Sequence, residues 1–183
     1  MKIEPAKVYW FTGLSGAGKT TIANKVATGL RLRGQHVILL DGDELRSIFN
    51  ATDFNNNHHT PEARLSLAKQ YSRLCKIISD QGITVVIATI SLFKEVFIWN
   101  RRHLSGYVEI YLKVSIDELR RRDPKGIYRQ FDSGRLTHVS GLDLPFDEPV
   151  NADFTVEYYP GYSADKMADD ILLYISEKKN ETR

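Results

Sequence analysis

At 183 residues, with 42% hydrophobic and 26% charged side chains, the chain has the make-up of one globular domain with enough material for a three-layer core. Its 25 basic and 23 acidic residues leave a formal charge of +2, which argues against nonspecific nucleic-acid binding as its main task. A lone cysteine (Cys75) excludes an internal disulfide, no apolar run reaches membrane-spanning length, and the first residues lack a signal-peptide core, so a reducing cytoplasm is expected.

The first predicted strand, Lys7–Thr12, runs into Gly13-Leu14-Ser15-Gly16-Ala17-Gly18-Lys19-Thr20-Thr21, and a predicted helix over Lys19–Arg33 follows at once. This meets the pattern G-x-x-x-x-G-K-[ST] in full, in the strand–loop–helix context the pattern requires. The glycines let the backbone wrap closely, so that its N–H groups converge on a phosphate. The helix start adds partial positive charge. Lys19 supplies a mobile point charge for the β- and γ-phosphates, and the Thr20 hydroxyl is a ligand for Mg²⁺. A nucleoside triphosphate site is therefore expected over residues 13–21, with ATP and Mg²⁺ as its occupants.

A second strand, His36–Leu40, ends at Asp41-Gly42-Asp43, followed by Arg46. Two carboxylates there suit ordering the water shell of Mg²⁺ and orienting an acceptor hydroxyl; the plainer alternative is that one of them caps the helix starting at Glu44. Asp43 is expected to face the substrates and Asp41 to be structural. Arg46 reads equally as an anion ligand or a solvated helix residue. Thr60 and Pro61 mark the start of a helix over Pro61–Asp80, whose Leu67, Ala68, Tyr71, Leu74, Cys75 and Ile78 form one apolar face. Arg64 heads that face, and either snorkels to solvent or meets an anion.

A third strand over Thr84–Ile90 leads to Ser91, then a helix over Glu95–His103, a strand over Val108–Val114 and a helix over Ile116–Arg122. Between about 123 and 148 the sequence is dense in turn formers yet carries Tyr128, Phe131 and Phe146. It reads as a lid that orders over bound nucleotides, or as a surface loop with its own small hydrophobic cluster. A strand over Phe154–Glu157 and a helix over Ala164–Lys178 complete the chain. Strands written as nearly continuous apolar runs, alternating with helices, predict a doubly wound α/β fold. Its five parallel strands carry helices on both faces, in a single domain spanning residues 1–183. In such a sheet the site lies beyond the carboxyl ends of the strands.

Gly13-Leu-Ser-Gly-Ala-Gly-Lys-Thr-Thr, Leu40-Asp-Gly-Asp-Glu-Leu-Arg46, Ile90-Ser91, Arg122-Asp-Pro-Lys-Gly-Ile-Tyr128 and Ser140-Gly-Leu-Asp143, in this order, resemble the adenylylsulfate kinases. The resemblance implies a P-loop NTPase fold. It also implies ATP-dependent phosphorylation of the ribose 3′-hydroxyl of adenosine 5′-phosphosulfate or a similar nucleotide. It places Lys19, Asp43 and Ser91 in the catalytic centre. Residues Gly13 to Thr21 and Arg122 would hold ATP, with Arg122 near the adenine, and Thr20 would hold the metal. Arg46 and Arg64 would grip the acceptor's phosphosulfate, and Lys125 would close over the substrates; His59, Leu67, Ile90, Phe93 and Leu142 complete the implied substrate-binding set. Ser91 matches a serine described in the family as a phosphorylated intermediate. Because the acceptor is itself a hydroxyl, direct in-line transfer needs no covalent relay, and Ser91 reads physically as a hydrogen-bonding group.

Departures from the family pattern cluster on the acceptor side. Leu67 stands where the family has an asparagine, and Leu92-Phe93-Lys94 stand where it has proline, an aromatic or histidine, and arginine. The stacking aromatic before Arg64 falls at His59, with Phe54 as another source of a ring. These changes point to an altered acceptor, and a cytidine diphosphoramidate kinase is the alternative within the family. A GTP-driven switch is disfavoured, since Asn24-Lys25 is followed by Val26-Ala27 and no [NT]-K-x-D guanine reader occurs. The expected partners are small nucleotides, not nucleic acid or membrane, and a homodimer is left open.

Overall fold

A computed structural model of the chain describes residues 6–49 and 60–181. In chain order the elements are β1 (Val8–Thr12), α1 (Lys19–Leu32), β2 (Val37–Asp41), α2 (Gly42–Ile48), α3 (Pro61–Ser79), β3 (Thr84–Ala88), α4 (Lys94–His103), β4 (Tyr107–Lys113), α5 (Ile116–Arg122), α6 (Ile127–Asp132), β5 (Phe154–Glu157) and α7 (Ala164–Glu181). The five strands form one parallel sheet in the order β2-β3-β1-β4-β5.

The two-residue alternation of β1 divides the core. Tyr9 and Phe11 face a cluster with α1 and α7, while Val8 and Trp10 face a second cluster with α3 and α4. All five β1 residues are buried, as befits a central strand covered on both faces. On the first face α1 and α7 approach closely: a Cβ on Gly29 would stand 2.5 Å from Leu172 Cδ1, so a larger residue there would displace the Leu172 side chain. On the other face α3 begins as its sequence predicts, with the Thr60 hydroxyl accepting from the Ala63 N–H and Pro61 in the first turn.

From β1 the chain leaves through α1 to β2 on one side; from β3 it crosses through α4 to β4 on the other. The connections thus diverge between β1 and β3, and the crevice beyond the carboxyl ends of these neighbours is the natural ligand site of a doubly wound sheet.

Most predicted ends shift by a residue or so, and three differences bear on the site. β3 ends at Ala88, not Ile90, which releases Thr89 and Ile90 into the crevice. A short helix, α2, occupies the residues directly after β2 and includes Asp43 and Arg46. The segment 123–148 is not irregular throughout, because α6 lies within it. Among the described residues no helix is long and apolar enough to cross a membrane.

Candidate active site

The glycine-rich loop links β1 to α1 and is shaped by contacts only glycine permits. Gly13 has φ 149°, and a Cβ on it would meet the Leu112 carbonyl oxygen at 2.6 Å. Gly18, at φ 91°, precedes α1, and no side chain caps that helix, which leaves its first N–H groups for a ligand. Leu14 and Ala17 are buried and anchor the loop from beneath. Ser15, Gly16, Gly18, Lys19, Thr20 and Thr21 line a hollow of about 170 Å³, together with Asp41, Asp43 and Arg46 from the β2–α2 junction and Pro124 and Lys125 from above.

Lys19 is half-buried, with its Nζ donating to the Leu14 carbonyl at 2.8 Å. Desolvation and the charges of Lys125 and Arg46 push its pKa down to about 7, against the opposing pull of Asp41. Such a lysine regains its proton when a polyphosphate neutralises the surrounding positive field.

The two carboxylates separate cleanly. Asp41 Oδ1 accepts the Asp43 N–H at 2.7 Å as the N-cap of α2, while its Oδ2 accepts the Thr20 hydroxyl at 2.6 Å. Asp41 is therefore the capping residue that the sequence left as one option, and it also holds the hydroxyl expected to meet a metal. Asp43 pairs with both Lys125 from the 123–148 segment and Arg46 one helical turn on. The donors gathered here are all oxygens, as Mg²⁺ prefers.

A larger hollow of about 400 Å³ opens beside the first. Arg46, Arg64, Leu67 and Tyr71 form one wall and Thr89 to Phe93 the floor, with residues of the 123–148 segment, Phe146 among them, across the mouth. Burial pushes the Tyr71 phenol up to about 12, and it serves as a long donor, at 3.4 Å, to the Gly42 carbonyl. Ser91 is 7% exposed, and its hydroxyl is paired with that of Thr89 at 2.8 Å. Leu67 lines this hollow and packs on the second core cluster as well.

The segment over the site is pinned at several points. Asp123, buried and at φ 28°, accepts the N–H groups of Tyr128 and Arg129 and so starts α6. The buried Tyr128 donates its hydroxyl to the Ser15 carbonyl at 2.9 Å, fastening the segment to the phosphate loop. Arg64 donates to the His138 carbonyl at 2.7 Å and to the Ser140 hydroxyl at 3.2 Å, so the α3 arginine holds the same segment from the other side. Asp143 supports that end by accepting the His138 and Val139 N–H groups. Beyond the two alternatives the sequence offers, the Arg64 guanidinium lines the larger hollow and holds the His138 carbonyl and the Ser140 hydroxyl at its rim.

The structure brings together Lys19, Thr20, Asp43, Arg46, Arg64, Leu67, Ile90, Ser91, Phe93 and Lys125. Arg122 lies outside both linings: its Nε donates to Glu118 at 2.7 Å and its guanidinium sits 4.0 Å over the Tyr158 ring. Leu142 packs on the larger core cluster, also outside both linings. His59 and Phe54 lie outside the described residues. Sequence reasoning missed the ties made by Asp123 and Tyr128. Their signal was an aspartate followed by Pro124, Gly126 and a buried aromatic, the spacing of a side-chain-capped helix after a tight turn.

The profile of the family described as adenylylsulphate kinase matches residues 5–157. The chain belongs to that family. Adenylylsulphate kinase-family membership makes it an enzyme, a phosphotransferase with an alcohol group as acceptor. Among its relatives, the cytidine diphosphoramidate kinase of Campylobacter jejuni is 37% identical over 156 residues, covering 85% of this chain and 88% of that one. The adenylyl-sulfate kinase of Clostridium acetobutylicum is 36% identical over 179 residues, covering 96% and 86%. The structure of the Mycobacterium tuberculosis APS kinase CysC in complex with AMPPNP and APS superposes with a TM-score of 0.83 at 30% identity, covering 94% of this chain and 98% of that one.

Proposed function

We propose that the protein transfers the γ-phosphoryl group of ATP to a sugar hydroxyl of a nucleotide whose 5′ substituent is a phosphosulfate or another diphosphate-like anion. The observation that carries this reading is the pair of adjoining hollows. One is lined by the phosphate loop and Lys19, the other flanked by Arg46 and Arg64, with Asp43 and Lys125 between the two anion-binding ends. Thr20 would hold Mg²⁺, with Asp41 accepting from the Thr20 hydroxyl or from a metal-bound water; the ion supplies charge neutralisation on the phosphates.

The protein's own part is positioning. Lys125 and Arg46 neutralise Asp43 in the structure. Bound polyphosphate and acceptor anion compete for both cations. Their release frees the Asp43 carboxylate to accept a hydrogen bond from the acceptor hydroxyl and align it for in-line attack. Lys19 then neutralises charge on the transferring group, and Tyr128 and Arg64 hold the segment that shuts out water.

Adenosine 5′-phosphosulfate is the first candidate acceptor, from the family and from the APS-bound structural neighbour. Leu67 lines the larger hollow and lacks the polar contact that the family's asparagine would give an adenine, which leaves room for a different base such as the cytosine of a cytidine diphosphate derivative. The C. jejuni relative agrees with it. The test is turnover of ATP–Mg²⁺ against a panel containing adenosine 5′-phosphosulfate, cytidine diphosphoramidate and cytidine diphosphate, with wild type and Leu67→Asn. Leu67→Asn should improve use of the adenosine acceptor relative to the cytidine ones by about tenfold, the worth of one buried polar contact. An unchanged ratio would reduce Leu67 to a core residue, and failure of every acceptor would overturn the kinase assignment of this site.

A further inference from the structure

Five residues line both hollows: Ser15, Arg46, Thr89, Ile90 and Lys125. They mark the seam between the two hollows. Of the five, only Thr89 is buried, at 3% exposure. Its N–H donates to the Phe11 carbonyl at 2.9 Å, fixing it against the end of β1. Its Cα and Cβ pack against Gly42, where an added Cβ would stand 3.3 Å from each, so Thr89 is held directly beside the turn that presents Asp43.

The Thr89 and Ser91 hydroxyls lie 2.8 Å apart, both buried. Two hydroxyls carry two hydrogens, and their mutual bond uses one. The other makes no hydrogen bond among the described residues. A buried hydroxyl hydrogen left over in the wall of a ligand-sized hollow points to an acceptor atom supplied by the ligand.

We propose that Thr89 is a substrate-binding residue of the transfer: its Oγ1 receives the Ser91 hydrogen and donates its own to a sugar oxygen of the acceptor at the seam. The contact sets the reacting hydroxyl beside Asp43 and in line with the donor phosphate. Ser91 is then a positioning residue that acts through Thr89, and it forms no covalent intermediate. This inference rests on the kinase reading of the same site.

The test compares wild type, Thr89→Val, Thr89→Ser, Ser91→Ala and the Thr89→Val/Ser91→Ala double variant with the best acceptor from the panel, ATP affinity being measured separately by equilibrium binding. Thr89→Val keeps the shape and loses the hydroxyl. It should lower kcat/KM for the acceptor about tenfold or more while ATP affinity stays unchanged, and Thr89→Ser should restore most of the loss. Ser91→Ala should cost less, and should add little on top of Thr89→Val, because it acts through the same hydrogen bond. Wild-type kcat/KM in Thr89→Val, a loss shared with ATP affinity and not rescued by serine, or full additivity with Ser91→Ala would each overturn the proposal. Wild type that transfers to no acceptor would overturn it together with the kinase reading. Wild type that transfers normally while Thr89→Val matches it would overturn this inference alone.

Discussion

The donor end and the acceptor end of this site are built by different means. Around the phosphate loop, specificity lies in backbone: glycines at positive φ, an uncapped helix start, and one lysine held against the Leu14 carbonyl. Around the larger hollow it lies in side chains drawn from α2, α3, the end of β3 and the 123–148 segment. Backbone cradles recognise what every nucleoside triphosphate shares. Side-chain walls can be rewritten one residue at a time, and Leu67 and Leu92, which depart from the family pattern, both line the larger hollow.

The comparison breaks most sharply at Lys19. Lys19→Ala should lower the transfer rate by a hundredfold or more, the effect of losing about 3 kcal/mol of charge stabilisation in a water-poor site. Steady-state rates on folded protein check this, and near-wild-type turnover would remove the donor end from the mechanism. Next come the two carboxylates at the boundary. On the proposed role of Asp43 in aligning the acceptor hydroxyl, Asp43→Asn should reduce kcat by about ten- to a hundredfold with ATP affinity nearly unchanged. Asp41→Asn should instead lower the melting temperature and raise the Mg²⁺ concentration needed for half-maximal rate, because one carboxylate holds both the α2 cap and the Thr20 hydroxyl. Thermal melts and Mg²⁺ titrations separate the two.

A pH profile sharpens the donor side further. With Lys19 pushed down to about 7, the free protein holds it largely neutral at pH 8, and polyphosphate binding must restore its proton. ATP affinity should then fall as pH rises above about 7, by up to about tenfold per unit, with net proton uptake on binding. Calorimetry in buffers of different ionisation enthalpy measures that uptake; its absence would mean that Lys19 stays charged throughout. The smallest effect belongs to the tie between the 123–148 segment and the phosphate loop. Tyr128→Phe removes one hydrogen bond to Ser15, worth about 1 kcal/mol, and should speed tryptic cleavage at Arg129 and Arg135 about fivefold. Bound nucleotides should slow cleavage in both proteins.

The two ends also differed in how far they could be read from residues. The loop, Lys19 and Thr20 follow from local spacing, and the sheet follows from runs such as Val8–Phe11 that are apolar on both faces. Asp43 and Arg46 were legible as candidates at the end of the second strand, Lys125 only through the family resemblance, and the structure brings the three together. What escaped was the product of tertiary contact. Asp123 starts α6 from outside the helix, through a conformation that no hydrophobic period announces. Arg64 meets His138 and Ser140 across 74 and 76 residues of sequence. Thr89 was hidden because a β-rich run carried the predicted strand two residues past the point where its pairing with β1 ends.

β1 lies at the middle of the sheet, paired on both sides, whereas β2 is an edge strand with Ile38 in solvent. Amide exchange should follow that gradient: the β1 hydrogens leave only with global unfolding, while β2 opens in a cheaper, partial excursion. The phosphate loop grows from the first strand, and Asp41, Asp43 and Arg46 grow from the second. A molecule frayed at this edge therefore keeps its phosphate loop while losing Asp41, Asp43 and Arg46, so on the proposed mechanism fraying silences the chemistry before it releases the fuel.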